Sequence, residues 1–145
     1  MVSIFDVAHY ILNKQGSMTT MKLEKLVYYS QAWSLAWDGE PLFNDDFQAW
    51  ANGPVCPTLF YSHQGHYVVA ENFYSTQGNI ENLNDKQKET IDAVLDYYGN
   101  KDPQWLSDLT HKERPWKETR HGLAPGARCD RIISKDLMQD YYGGI

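Results

Sequence analysis

Cysteine is scarce: Cys56 and Cys129 are the two in 145 residues. That excludes a disulfide-stapled scaffold, and two isolated thiols fit a reducing compartment. No apolar run approaches the roughly 20 residues that a membrane-spanning helix needs. The N-terminal MVSIFDVAHY lacks the basic segment and cleavage site of a secretory signal, so the expected location is the cytoplasm, with no membrane partner. Catalytic signatures are missing as well. There is no G-x-S-x-G, H-E-x-x-H, Walker loop or G-x-G-x-x-G, which removes the common hydrolase, metalloprotease and nucleotide-binding readings. Cys56, His63 and His66 form C-x6-H-x2-H, without the closely paired fourth ligand of structural zinc. The blander reading, a surface His-Gln-Gly-His loop and no metal or other cofactor, is preferred. Cys56 with His63 is the nearest approach to a nucleophile and base. A catalytic thiol needs a lowered pKa and a base in reach, and neither is written in this spacing, so an enzyme is not expected.

Positive charge is absent from a long stretch. Between Lys25 and Lys86 there is no Lys or Arg, while Asp38, Glu40, Asp45, Asp46, Glu71, Glu81 and Asp85 lie there. Residues 112–131 reverse the balance, with Lys112, Arg114, Lys117, Arg120, Arg128 and Arg131 against Glu113, Glu118 and Asp130. Either the two regions pair inside the fold, or the acidic one steers a basic partner. With a formal net charge of −6 and no evident recognition helix, nucleic acid is not an expected partner.

What is present points to a packed core. Hydrophobic residues make up 42% and aromatic residues 14%, which argues against disorder, and residues 1–145 read as one domain. The chain is organised around residues 20–38. Leu23, Leu26, Val27, Ser30, Trp33, Ser34 and Trp37 form one helical stripe, and Tyr28, Tyr29, Ala32, Leu35 and Ala36 cover much of the other side. A helix so poor in polar surface belongs in the middle of a domain. Thr19 or Thr20 can cap it, and Gly39 then Pro41 end it. Further helices are expected over 3–15 (Ser3 with Asp6 as a capping box), 57–63 from Pro57, 84–98, 103–110 after an Asp102 cap, a short one from Pro115, and a last one capped by Ser134. Phe47–Trp50 and 67–70 are strand candidates, with a turn at Asn52-Gly53-Pro54. The resulting expectation is a mainly α (α+β) fold, about six helices around the buried 20–38 helix, with a small antiparallel β ribbon.

Five tryptophans are many for this length. Core packing explains most of them. Trp50 and Trp116, each held beside turn residues, are the candidates for partner contact. Gly53-Pro54 reads as a structural corner, and His111 as a histidine bonding a carbonyl.

These residues also carry a resemblance. KLEKLVYYSQAW, the Gly-x-Pro-Leu-Phe turn, F-x-A-W-x-x-G-P-V-x-P-x-L-F and the downstream Leu109-Thr110-His111 with Pro115-Trp116 resemble the Panacea antitoxin domain. That is the SocA-like family also seen in prophage-associated GepA-type proteins. The resemblance makes Leu26, Trp33, Gly53, Pro54, Val55, Pro57, His111 and Pro115 motif positions. It implies a non-enzymatic antitoxin of a type II toxin–antitoxin pair, neutralising a protein toxin usually encoded beside it. It also permits an adaptor that delivers the toxin to a cellular protease, or a phage-encoded protein-binding regulator with no toxin. Asp38, Glu40, Asp45 and Asp46 are the candidate toxin-facing acids. With no appended DNA-binding arm, weak or absent autoregulatory DNA binding is expected.

Overall fold

In the computed structural model, which describes residues 2–145, the helix boundaries follow local capping chemistry. The Ser3 hydroxyl accepts the Asp6 N–H at 3.3 Å and the Asp6 carboxylate accepts the Ser3 N–H at 2.8 Å, opening α1 (Ile4–Gln15) with two satisfied donors. Thr19 rather than Thr20 caps α2 (Thr20–Asp38), which Gly39 closes in the left-handed region at φ 71°. Asn84 and Gln87 build a second capping box at α4 (Asp85–Tyr98). The short α3 (Pro57–His63), with α5 (Pro103–Lys112) and α6 (Arg114–Thr119), carries proline in its first turn, where the missing N–H had no helical partner to lose. Asp102 precedes α5 but makes no side-chain capping bond. Ser134 caps α7 (Lys135–Gly143). With seven helices among the described residues, the chain is mainly α with a small antiparallel β component.

The β structure departs from the single ribbon expected. β1 (Met18–Thr19), the joint between α1 and α2, pairs antiparallel with β4 (Val68–Val69). A separate sheet runs in the order β3-β2-β5, from β2 (Phe47–Trp50), β3 (Gly53–Val55) and β5 (Ile132–Ile133). The turn expected at Asn52-Gly53-Pro54 is tighter. Ala51 and Asn52 make it, and Gly53, Pro54 and Val55 pair with Trp50, Ala49 and Gln48. Proline fits because β3 is an edge strand. Opposite it, the Ala49 N–H points the other way, to Arg131 O at 3.0 Å.

Twelve of the nineteen residues of α2 are buried, and the helix packs on α1, α4, α5, α7 and β3. Leu26 is fully buried, whereas Trp37, expected on the buried stripe, is 53% exposed and packs on Trp33 with ring centroids 4.8 Å apart. Polar residues inside α2 bind loops to it. Gln31 Oε1 accepts the Leu42 N–H at 2.7 Å, and its Nε2 donates to Phe43 O at 2.8 Å, fixing the turn after the helix.

Beneath α2 lies a buried tyrosine cluster. Glu113, the residue between α5 and α6, is 6% exposed. Its Oε1 accepts from the Tyr29 and Tyr142 hydroxyls, each at 2.8 Å. Tyr29 stacks on Tyr98 with ring centroids 4.2 Å apart, and the Tyr98 hydroxyl accepts the Trp33 indole N–H at 3.0 Å. Four helices thus meet at one carboxyl group. Burial pushes the Glu113 carboxyl above the ordinary carboxylate range, opposed only in part by the two hydroxyl bonds. A raised folded-state value means that the native chain binds this proton more tightly than the unfolded chain. The stabilisation is present at low pH and is lost as pH rises through the raised value. Glu113→Gln removes that titration. Urea unfolding between about pH 4 and pH 8 is expected to show stability falling less steeply with pH in the variant than in the parent chain. Equal slopes would assign the fall to other groups.

Candidate functional site

The β2–β3 hairpin is held by its carbonyl oxygens. Ala49 O accepts from Arg120 Nη1 at 2.8 Å, and Trp50 O from the Trp116 indole at 2.8 Å. Ala51 O accepts from His111 Nε2 at 2.9 Å, and Asn52 O from the Ser107 hydroxyl at 2.7 Å. Pro54 O accepts from Lys25 Nζ at 3.0 Å. The donors come from α2, α5, α6 and the residue that follows α6, so segments 29 to 71 residues apart in sequence interlock as one unit. His111 faces Ser107 O with its other nitrogen at 2.6 Å and lies 4.0 Å from the Trp116 ring, over which the Arg120 guanidinium sits at 5.0 Å. Pro115 is buried at the start of α6, and Pro57 starts α3.

Two charged residues on the apolar helix α2 were not singled out by the sequence reading, although a Glu-Lys pair among buried leucines was the available signal. Lys25 is 2% exposed. Burial pushes its amine down to about 8, with the Glu24 charge opposing. Its chain passes so close to Gly53 (φ 120°) that a Cβ there would lie 2.6 Å from Lys25 Cε. Glu24 is buried too. Its Oε1 accepts the Cys56 N–H at 3.3 Å, and its Oε2 lies 2.7 Å from His63 Nε2. His63 therefore serves a carboxylate, while His66, exposed, packs its ring on Phe73 at 5.0 Å. Burial pushes the Cys56 thiol up to about 11, the opposite of what an activated nucleophile needs. No cluster of three or more His, Cys, Asp or Glu able to hold a metal occurs among the described residues.

Beside this unit opens a cavity of about 690 Å³, lined by residues that include Glu24, Lys25, Gln48, Trp50, Phe60 and Arg128. Trp50 is half-buried. Its indole N–H donates to Gln48 Oε1 at 2.8 Å and its ring meets Phe60 edge-on at 4.8 Å. Trp116 is half-buried behind the hairpin. The more exposed tryptophans are Trp37 and Trp105.

The candidate acids divide. Asp38 accepts from the Thr90 hydroxyl at 2.7 Å and lies 3.6 Å from Lys86, and Asp46 pairs with Lys135 at 2.8 Å. Glu40 and Asp45, on the loop between α2 and β2, have no side-chain partner among the described residues, and Glu40 is exposed. No ion pair joins the acidic stretch to residues 112–131 among the described residues. Two of its arginines bond carbonyls within the segment: Arg120 also bonds Ala127 O at 2.6 Å, and Arg131 bonds Thr119 O and His121 O.

Gly53→Ala tests the interlock. A side chain at this positive φ, driven into Lys25, is expected to cost about 2 kcal/mol or more, read as a lowered urea midpoint. Gly126→Ala, also at positive φ but with nothing within 4 Å of the added carbon, isolates the backbone contribution. Equal losses at both positions would show that the Lys25 contact adds nothing.

Comparison with known proteins gives the same stretch a wider meaning. Antitoxin SocA of Caulobacter vibrioides (strain NA1000 / CB15N) is similar to this chain, 28% identical over an alignment 146 positions long, gaps included, that covers 88% of this chain and 78% of that protein. No solved structure matches. The family profile described as Antitoxin SocA-like, Panacea domain, matches residues 23–117, the span from Leu23 in α2 to Lys117 in α6 that supplies four of the five hairpin ties. By that match the chain belongs to the SocA-like antitoxin family, characterised by the Panacea domain.

Proposed function

We propose that this chain is the antitoxin of a type II toxin–antitoxin pair, acting as one unit in the cytoplasm and neutralising a protein toxin encoded by the adjacent gene through direct contact. The observation that carries the reading is the family match over residues 23–117. Within that span Lys25, Ser107, His111 and Trp116 hold the β2–β3 hairpin in place, an arrangement suited to presenting a fixed surface. No helix of the described residues is long and apolar enough to cross a membrane. The proposed contact surface includes Glu40 and Asp45, whose carboxylates have no internal partner. Asp38 and Asp46 border it but are tied to Thr90, Lys86 and Lys135. Trp50 joins the surface at the cavity wall, and Trp116 supports it from behind.

Expression of the neighbouring reading frame alone should arrest growth. Co-expression with this chain should restore growth and yield a complex that co-purifies. A neighbour that is harmless alone, or toxic whether or not this chain is present, would sink the proposal. Within the complex, Glu40→Lys with Asp45→Lys is expected to slow association by about tenfold at low salt and to flatten its salt dependence. Stopped-flow mixing reads both quantities, and unchanged rate and slope would move the toxin to another face. Trp50→Ala is expected to lower the thermal midpoint more than the affinity. A fully stable variant that no longer neutralises would reverse that order.

A further inference from the structure

The last two turns of α2 carry an aromatic face that the rest of the fold leaves uncovered. Trp33 is half-buried and Trp37 is 53% exposed, with their rings 4.8 Å apart. Helix α4 borders them on one side. Residues 86, 90, 93 and 97 fall on one stripe of that helix, at i, i+4, i+7 and i+11. Lys86 and Thr90, the first two, reach Asp38 at 3.6 Å and 2.7 Å, and Asp38 follows Trp37 in the chain. Ala93 and Tyr97 continue the same border, and both are exposed, Tyr97 to 60%. From α7, Tyr142 meets Trp33 at 5.5 Å. Beyond Tyr97 the chain supplies its own cation. Lys101 holds its ammonium 5.6 Å from the Tyr97 ring and 4.9 Å from the ring of Trp105, itself 40% exposed.

Large rings gathered at a surface mark interaction sites, and Trp and Tyr dominate binding hot spots. Charge chooses the partner here. Glu89 and Asp96 lie four residues before and three residues after Ala93, so they flank the α4 stripe. Both are exposed, and neither has a side-chain partner among the described residues. The two lysines of this border are already engaged, Lys86 by Asp38 and Lys101 by the rings. A face with spare negative charge repels a second copy of itself, and it repels nucleic acid and anionic lipid for the same reason. The Lys101 contact shows what rings in this setting accept, a cation over the π face. Lys and Arg also bring apolar stems that cover a ring while their charged heads stay at the rim. We propose that the face formed by Trp33, Trp37, Ala93 and Tyr97 is a docking site for a basic polypeptide segment. The stems of its Lys and Arg residues lie on the rings, and their heads meet Glu89 and Asp96. The inference does not rest on the antitoxin reading, and its test requires no toxin.

The full, isotope-labelled chain is titrated with the amphipathic peptide acetyl-LRKLLRKLLRKL-amide and, separately, with its acidic twin acetyl-LEDLLEDLLEDL-amide. The basic peptide is expected to shift the indole signals of Trp33 and Trp37 and the amide signals of Ala93 and Tyr97. It should bind at least about tenfold more tightly than the twin. Trp37→Ala and Tyr97→Ala, each checked by thermal melt, are expected to weaken it by at least about fivefold. Tyr61→Ala removes a ring that is 65% exposed on α3 and should leave binding unchanged, which separates this face from simple attraction to the net charge. Glu89→Lys with Asp96→Lys should weaken binding and flatten its salt dependence. Where Trp37→Ala fails to fold, Tyr97→Ala carries the test, because its ring stands largely in water. Failure of the basic peptide to bind, equal binding of the two peptides, shifts centred elsewhere, or Tyr97→Ala binding as tightly as the parent overturns the proposal. So does Tyr61→Ala weakening binding as much as Tyr97→Ala. A dimer in sedimentation that Trp37→Ala dissolves would also overturn it, because the face would then belong to a second copy.

Discussion

A backbone carbonyl removed from water must find a donor, and losing that donor costs about 1–3 kcal/mol. The hairpin of residues 47–55 turns five such carbonyls toward the protein interior, and each is met by a side chain from another element. Ser107, His111, Trp116 and Arg120 come from the consecutive helices α5 and α6 and the residue after them, and Lys25 comes from α2. Their common target sets where α5 and α6 lie against α2. It also explains why a two-residue turn, an edge proline and a positive-φ glycine occur together. Pro54 gives no N–H to the ladder, and Gly53 leaves the room through which Lys25 passes. The hairpin is short, and α2, α5 and α6 supply the rigidity that its own ladder lacks.

Helix α2 does two jobs that conflict in an isolated helix. It fills the core with Leu23, Leu26, Val27, Tyr28 and Tyr29, and it also carries Glu24, Lys25 and Gln31 into that core. Each polar group is matched: Glu24 by His63 and a backbone N–H, Gln31 by the 42–43 turn, Lys25 by Pro54. Buried polar groups with fixed partners specify a single arrangement of the loops around a helix, where apolar contacts alone would allow slippage. The Glu113–tyrosine cluster plays the same part on another side of α2, joining it to α7 and to the α5–α6 junction.

Charge that is segregated in the chain is not neutralised by mutual pairing. Within 112–131, Arg120 and Arg131 bond backbone carbonyls and Arg114 pairs with Glu118 and Asp140. The acids Asp38 and Asp46 pair with Lys86 and Lys135, from outside that segment. Glu40 and Asp45 remain available at the loop that follows α2. Charge without an internal partner near the surface governs encounter more than it governs stability.

The sequence alone determined the features that depend on near neighbours. The capping box at Ser3, the proline-started helices, the Gly39 stop and the β2 strand all rest on chemistry within a few residues, which is written contiguously. The family motifs were legible for the same reason. Only the tertiary structure decided which distant groups meet. It made Gly53-Pro54-Val55 an edge strand rather than a turn, paired β1 with β4, and gave Ile132–Ile133 a place beside β2, because two-residue strands exist only through their partners. It exposed Trp37 and gave Trp116 a carbonyl to hold, since burial of a large ring depends on what the rest of the chain places over it. Lys25 shows the division most clearly. Its position on an apolar helix could be read directly, but its purpose appears only when the carbonyl of Pro54, twenty-nine residues away, is folded onto it.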